Sequence, residues 1–321
     1  MLIRIYFISM CICNLAFSLA LGDWFARQKT MKAPPSLESS LQSFLSVNCK
    51  NVNILRSATH KIQYKGQKAL EHCLMEQRLL QSIINDDVLT YTSMVADGQT
   101  SEYFLFYTTH PPRLEITPLM AAIVFDSTQV FELILADSGK VSKFSRKKPK
   151  YDINRVISHD QISTGIFSLG NKIYDTYGVN AIDLSAMYHR YDMFWALLQK
   201  GADYNDPKYP LTNGIITFGD PYILELVLYF DENFLYRFGG GNMLHFAARE
   251  GNVELLEYLV THKKMPINAL KNGETPLDAA LNANNLWHKP QLQAAQKLIE
   301  LGAKVSEANA NRLNKLTHHR E

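Results

Sequence analysis

A short phrase recurs along this chain, and a chain that repeats itself folds by stacking copies of one unit. Thr117-Pro118-Leu119-Met120-Ala121-Ala122 returns as Thr275-Pro276-Leu277-Asp278-Ala279-Ala280, with Asn242-Met243-Leu244-His245-Phe246-Ala247-Ala248 between them. Each copy opens a short helix. Pro at the first helical position gives up an amide hydrogen that would be unpaired anyway, and Thr before it caps the free amides. A second apolar helix follows each: Val130 to Leu135, Leu255 to Val260 and Ala294 to Leu301. The paired alanines let the two helices approach closely. Units close on turns at Gly201-Ala202-Asp203-Tyr204-Asn205, Pro266-Ile267-Asn268 and Gly302-Ala303-Lys304-Val305. Glycine ends a helix there because it tolerates a left-handed backbone. Each unit has an apolar face that it cannot bury alone, so stacking is obligatory.

The period is regular where the copies are strongest. Asn242 to Thr275 is 33 positions, as is Asn180 to Asn213; Asn213 to Asn242 is 29, so the copy around Ile215 to Phe230 is shortened. Thr117 to Asn180 is 63, one repeat plus an insertion. These residues resemble the ankyrin repeat, with its period of about 33 residues and its T-P-L-H-x-A signature. The copies opening at Asn180 and Asn213 lack the Thr-Pro pair. The resemblance covers residues 87–306 in five to six repeats, interrupted at 140–175. Within it, residues 87–107 read as a terminal unit of two helices broken at Asp97-Gly98. It implies an all-α helical solenoid with short turns or hairpins, preceded by a small helical cap at 36–86.

In that cap Ser36 stands at a helix N-cap position behind a polar leader, residues 23–35. Leu37, Leu41, Phe44 and Leu45 follow at i, i+4, i+7 and i+8. A second helical stretch runs through Ala69, Leu70, Cys73, Leu74, Leu79, Leu80 and Ile83. Residues 307–321 read as a polar tail. Residues 1–22 differ from the rest: Arg4 is the only charge, ahead of the apolar stretch Ile5 to Leu21 and the small-residue site Ala20-Leu21-Gly22. That layout describes a secretory signal peptide. The alternative is a retained anchor, although about 17 apolar residues sit at the lower edge of what spans a bilayer. No later segment has the length and apolarity to span. Removing the leader leaves two cysteines, Cys49 and Cys73; an even pair in an exported chain stands either as a disulfide or as two buried thiols.

Hydrophobic residues at 46% and aromatics at 11% exclude wholesale disorder, and a net charge of +2 selects no strongly charged partner. The chain holds no Gly-x-Ser-x-Gly elbow, P-loop or His-Glu-x-x-His, so neither catalysis nor a cofactor is expected. Gly239-Gly240-Gly241 falls where a repeat turn takes glycine and lacks the spacing of a phosphate cradle. His60, His72 and Cys73 match no standard zinc pattern. His245 stands at the repeat's histidine, which the family uses to hydrogen-bond the turn.

For function the resemblance implies a protein partner, bound on the turn tips and the exposed side of the first helices. Carried over position by position, that surface comprises Thr176, Tyr177, Val179, Met187 and Tyr188 in one copy. Phe238, Arg249 and Glu250 follow in the next strong copy, and Lys271, Asn272, Glu274 and Asn282 in the last. Two insertions break the repeat. Residues 140–150 carry Lys140, Lys143, Arg146, Lys147, Lys148 and Lys150 with no acid, either a solvated loop or a patch for nucleic acid or anionic lipid. Residues 156–175 have β-type composition (Ile162, Ile166, Phe167, Ile173, Tyr174) around Gly165 and Gly170, as in a hairpin finger. Both insertions are expected to project from one edge and flank the partner site, with Tyr174 and Tyr177 as aromatic contacts. The expectation is a monomeric exported binding protein, similar to ankyrin proteins of intracellular bacteria, where host-directed binding is common. The alternative is a periplasmic scaffold that stabilises one resident partner.

Overall fold

A computed structural model describes residues 35–52, 54–56, 63–101, 104–105, 114–139, 149–156, 158–159, 166–169, 172–175, 179–204, 220–236, 243–282 and 291–318. The leader, His60, Thr176, Tyr177, Phe238, the three glycines at 239–241 and the run Lys140, Lys143, Arg146, Lys147 and Lys148 lie outside them.

After an N-terminal helix α1 (Pro35–Leu45), the helices fall into two rows. The first row holds α2 (Gln67–Ile84), α4 (Pro118–Phe125), α6 (Ala181–Met187), α9 (Met243–Glu250), α11 (Pro276–Leu281) and α13 (Glu307–His318). The second holds α3 (Val88–Ala96), α5 (Thr128–Ala136), α7 (Tyr191–Gln199), α8 (Pro221–Phe230), α10 (Val253–Thr261) and α12 (Leu292–Glu300). In the first row α4 packs between α2 and α6, and α11 between α9 and α13. In the second row α3, α5, α7, α8, α10 and α12 follow one another in contact. One apolar core runs through both rows, as expected for a solenoid.

Among the described residues, the chain turns the same way four times between the helices of a pair. Asp86, Asp126, His189 and Gly251 lie at φ of 50°, 59°, 53° and 76°. The next amide of each reaches back into the first helix: Asp87 to Ser82 (2.8 Å), Ser127 to Ala122 (2.9 Å), Arg190 to Ser185 (2.8 Å) and Asn252 to Ala247 (3.0 Å). This back-bonding consumes carbonyls that a helix end leaves unpaired. Because Asp86 turns as the others do, α2 and α3 form the first helix pair. Residues 87–107 are therefore not two helices: they hold α3 and then a strand, β3 (Phe104–Leu105). The unit expected to begin at residue 87 takes its first helix from the segment read as a cap.

The turns between pairs are pinned sideways by asparagine. Asn154 accepts from the Asp203 amide (2.8 Å), and Asn268 accepts from the Lys304 amide (2.9 Å), each reaching into the following unit. Short strands decorate this edge. β3 pairs antiparallel with β4 (Leu114–Ile116). Two strands, β5 (Ser138–Gly139) and β6 (Tyr151–Asp152), pair in parallel and close the neck of the first insertion. β7 (Ser158–His159) adds to β4. The second insertion carries a hairpin of β8 (Ile166–Leu169) and β9 (Lys172–Asp175), in which Tyr174 stands opposite Phe167.

Residues 307–321 are not simply a tail, since most of them form α13. Ser306 caps its start by accepting from the Asn309 amide (3.2 Å), Asn309 is buried, and Leu313 and Leu316 pack on the core.

At the other end, α1 belongs to neither row. It lies across α2 and α4 beside β8, with Leu37, Leu41 and Phe44 buried. The Gln77 amide on α2 donates to the carbonyls of Phe44 (2.8 Å), Leu45 (3.3 Å) and Val47 (2.8 Å), which satisfies the end of α1. Beyond α1, a hairpin of β1 (Ile54–Arg56) and β2 (Gln63–Lys65) leads into α2. Cys49 and Cys73 form a disulfide there, with Cα atoms 5.7 Å apart, inside a satellite core with Val52 and Ala69. Cys73 is thus no metal ligand. Among the described residues no helix is long and apolar enough to cross a membrane.

Candidate functional site

Among the described residues, solvent reaches the first-row face at α9 and α11, and five of the expected contact residues meet there. The turn ahead of α11 is a tight hairpin. Lys271 and Glu274 exchange backbone hydrogen bonds of 2.8 and 2.9 Å across Asn272 and Gly273, both at positive φ (53° and 83°). An Asn-Gly pair suits a turn that needs two left-handed residues. The turn presents Lys271 to α9, where its ammonium lies 4.0 Å from the centre of the Phe246 ring. Arg249, one turn further along α9, lies 4.0 Å from the Glu274 carboxylate. Glu274 also accepts from the Asn282 side chain (2.8 Å), and Asn282 accepts from Arg312 on α13. A connected strip, Phe246–Lys271 and Arg249–Glu274–Asn282–Arg312, thus spans three first-row helices. Leu270 stands beside it, 67% exposed.

His245 anchors this hairpin from below. It is buried, and its Nε2 lies 3.1 Å from the Glu274 carbonyl; since a carbonyl only accepts, Nε2 carries the proton. Burial holds its pKa below the ordinary histidine range; the Glu274 and Ala269 carbonyls pull the other way, and Lys271 and Arg249 lower it further. Lys271 is likewise held down, by burial first and then by Arg249. For His245 the sign follows. The unfolded chain takes up the proton first, so the stability His245 contributes is complete above the unfolded value of about 6.5 and is lost as pH falls below it. Urea titrations at about pH 7.5 and about pH 5.5 should show that loss, and His245→Asn should flatten the difference while lowering stability at the higher pH. An unchanged pH difference in the variant would count against this role.

Elsewhere the expected surface departs from the structure. Met187 and Tyr188 are 6% and 5% exposed, so they are core residues and not contact residues. Glu38 of α1 lies close enough to Tyr188 to add to the upward push that burial gives its hydroxyl. Val179 is half-buried, as are Arg249, Glu250, Lys271, Glu274 and Asn282, whereas Asn272 is exposed. Of the basic run only Lys150 is described; it lies 4.0 Å from Asp137 at the insertion's neck. Phe246 and Arg312 were not legible as contact residues, although Leu313 and Leu316 give the helical spacing that carries Arg312 into place.

Helix pairs stacked in two rows around one apolar core define a helical repeat protein. Residues 215–309 match the sequence profile of ankyrin repeats in three copies. The ankyrin repeat protein YahD of Escherichia coli (strain K12) is 30% identical over 135 residues, covering 40% of this chain and 66% of that protein, just under two thirds of its length. Among solved structures, the human ASB11 ankyrin repeat domain superposes with a TM-score of 0.44 at 14% identity, covering 71% of this chain and 85% of that one. A Bdellovibrio bacteriovorus structure, of the predatory endopeptidase Bd0816 in complex with immunity protein Bd3460, gives a TM-score of 0.41 at 16% identity, covering 70% of this chain and 97% of that one. The chain carries ankyrin repeats over residues 215–309, and such repeats are modules for protein–protein interaction.

Proposed function

We propose that the chain binds a protein partner through the strip over α9, α11 and α13, and that it does so outside the cytosol. The observation that carries the first part is a change of chemistry along one row. In α4 and α6 the two residues before the left-handed turn are Val124-Phe125 and Met187-Tyr188, apolar or aromatic pairs that are buried except for the half-buried Phe125. In α9 they are Arg249-Glu250, reached by solvent. A ring under a lysine, bordered by arginines and carboxylates, combines residue types enriched at interfaces with groups that set register. Residues 1–22 and the Cys49–Cys73 bond support the second part, since disulfides persist in oxidising compartments.

Pull-down with the chain from residue 23 provides the partner, and the strip is tested by Arg249→Ala combined with Lys271→Ala. Loss of these two contacts should weaken binding about tenfold or more. Stability should fall by no more than about 1–2 kcal/mol, since both side chains are half-buried and lie outside the apolar core. Capture with unchanged affinity would move the site elsewhere. Recovery of the chain only from the cytosolic fraction, with both thiols free, would refute export.

A further inference from the structure

We propose that the groove over α2, α4 and α6 is a second ligand site, built for an amphipathic helix with large apolar side chains at i, i+4 and i+7, and that α1 fills it in cis until a partner's helix takes its place. Three observations carry this. First, α1 sits in the groove as a ligand would: Leu37, Leu41 and Phe44 face in and are buried, while Gln42 and Ser43 on its other side are exposed. It belongs to no repeat, and β8 of the second insertion runs beside it as a wall. Second, the residues ahead of the left-handed turn are apolar or aromatic in α4 and α6 (Val124, Phe125, Met187 and Tyr188) and charged in α9 (Arg249 and Glu250). A repeat protein has no packing reason to vary one row in this way unless the row meets two kinds of neighbour.

Third, α1 does not satisfy its seat. The Tyr188 hydroxyl is buried and has no hydrogen-bond partner among the described residues. Removing a hydroxyl from water without an acceptor is unfavourable, so a helix that brought a carboxylate or amide oxygen to that point would bind better than α1 does. The ligand class follows: an amphipathic helix with the apolar spacing of α1 plus one acceptor over Tyr188. Helix-in-groove recognition reads such i, i+4, i+7 anchors.

The test uses the full chain and a fluorescent peptide of residues 35–47 as the probe. Leu41→Asp places a charge where α1 is buried and should unseat it, opening the groove. The labelled peptide is expected to bind this variant at least about tenfold more tightly than the parent, and the same peptide carrying Leu41→Asp should bind neither. Equal binding of the wild-type peptide to parent and variant, with the variant's helical spectrum intact, would overturn the proposal. Should Leu41→Asp unfold the chain, Gln77→Ala decides, because it removes only the bonds to the end of α1. Faster amide exchange across residues 37–45 together with gained peptide binding supports the site, and neither change overturns it.

Discussion

Replacing Phe194 with Ala is expected to cost about 3–5 kcal/mol and to break the unfolding transition in two. Phe194 is 0% exposed in α7, which packs on α5, α6 and α8, so its ring holds the middle of the second row. Removing it leaves a cavity that neighbouring helices fill only in part. In a solenoid each unit touches only its neighbours, and a weakened middle unit uncouples the two ends. Urea denaturation followed by far-ultraviolet circular dichroism should show an early step absent from the parent. A single transition shifted by less than about 1 kcal/mol would mean that α7 is not packed as described.

Breaking the Cys49–Cys73 bond is expected to cost about 3 kcal/mol, because a closed loop with a sequence separation of 24 restricts the unfolded chain. In protein prepared under oxidising conditions neither thiol should react with an alkylating agent until reductant is added. Cys73→Ser should then lower the denaturation midpoint of the parent to that of the reduced protein. Two thiols that alkylate freely in the native, oxidised preparation would remove the bond.

What the sequence disclosed was the part of the fold enforced locally. Thr275 caps α11 and Asp278 reaches back to the Thr275 amide (2.8 Å), a box readable from four adjacent residues. The glycine stops were equally legible, and Gly201 and Gly302 sit at φ of 83° and 98°. The pair α2–α3 was not. It keeps the left-handed turn at Asp86 but places Gln81-Ser82 where Ala121-Ala122 and Phe246-Ala247 stand, so the backbone repeats while the side chains do not. Met187 and Tyr188 failed for a non-local reason. Their positions and residue types both pointed to an interface, but both are buried, and Glu38 of α1, far upstream in the chain, lies near Tyr188. No periodicity within a repeat records that proximity. Arg249, Glu274 and Asn282 came together because all three lie within two adjacent, strongly patterned units.

The disulfide sets how α1 behaves once it lets go. Cys49 follows the last residue of α1 by four positions and is bonded to α2, the floor on which α1 rests. A released α1 therefore stays close by, at an effective concentration on the order of millimolar. An incoming helix competes with that local supply, so the groove ignores scarce ligands and fills only above a threshold. Cutting the bond lengthens the leash to the whole β1–β2 segment and dilutes α1 around its own seat. The same groove would then respond to a lower dose.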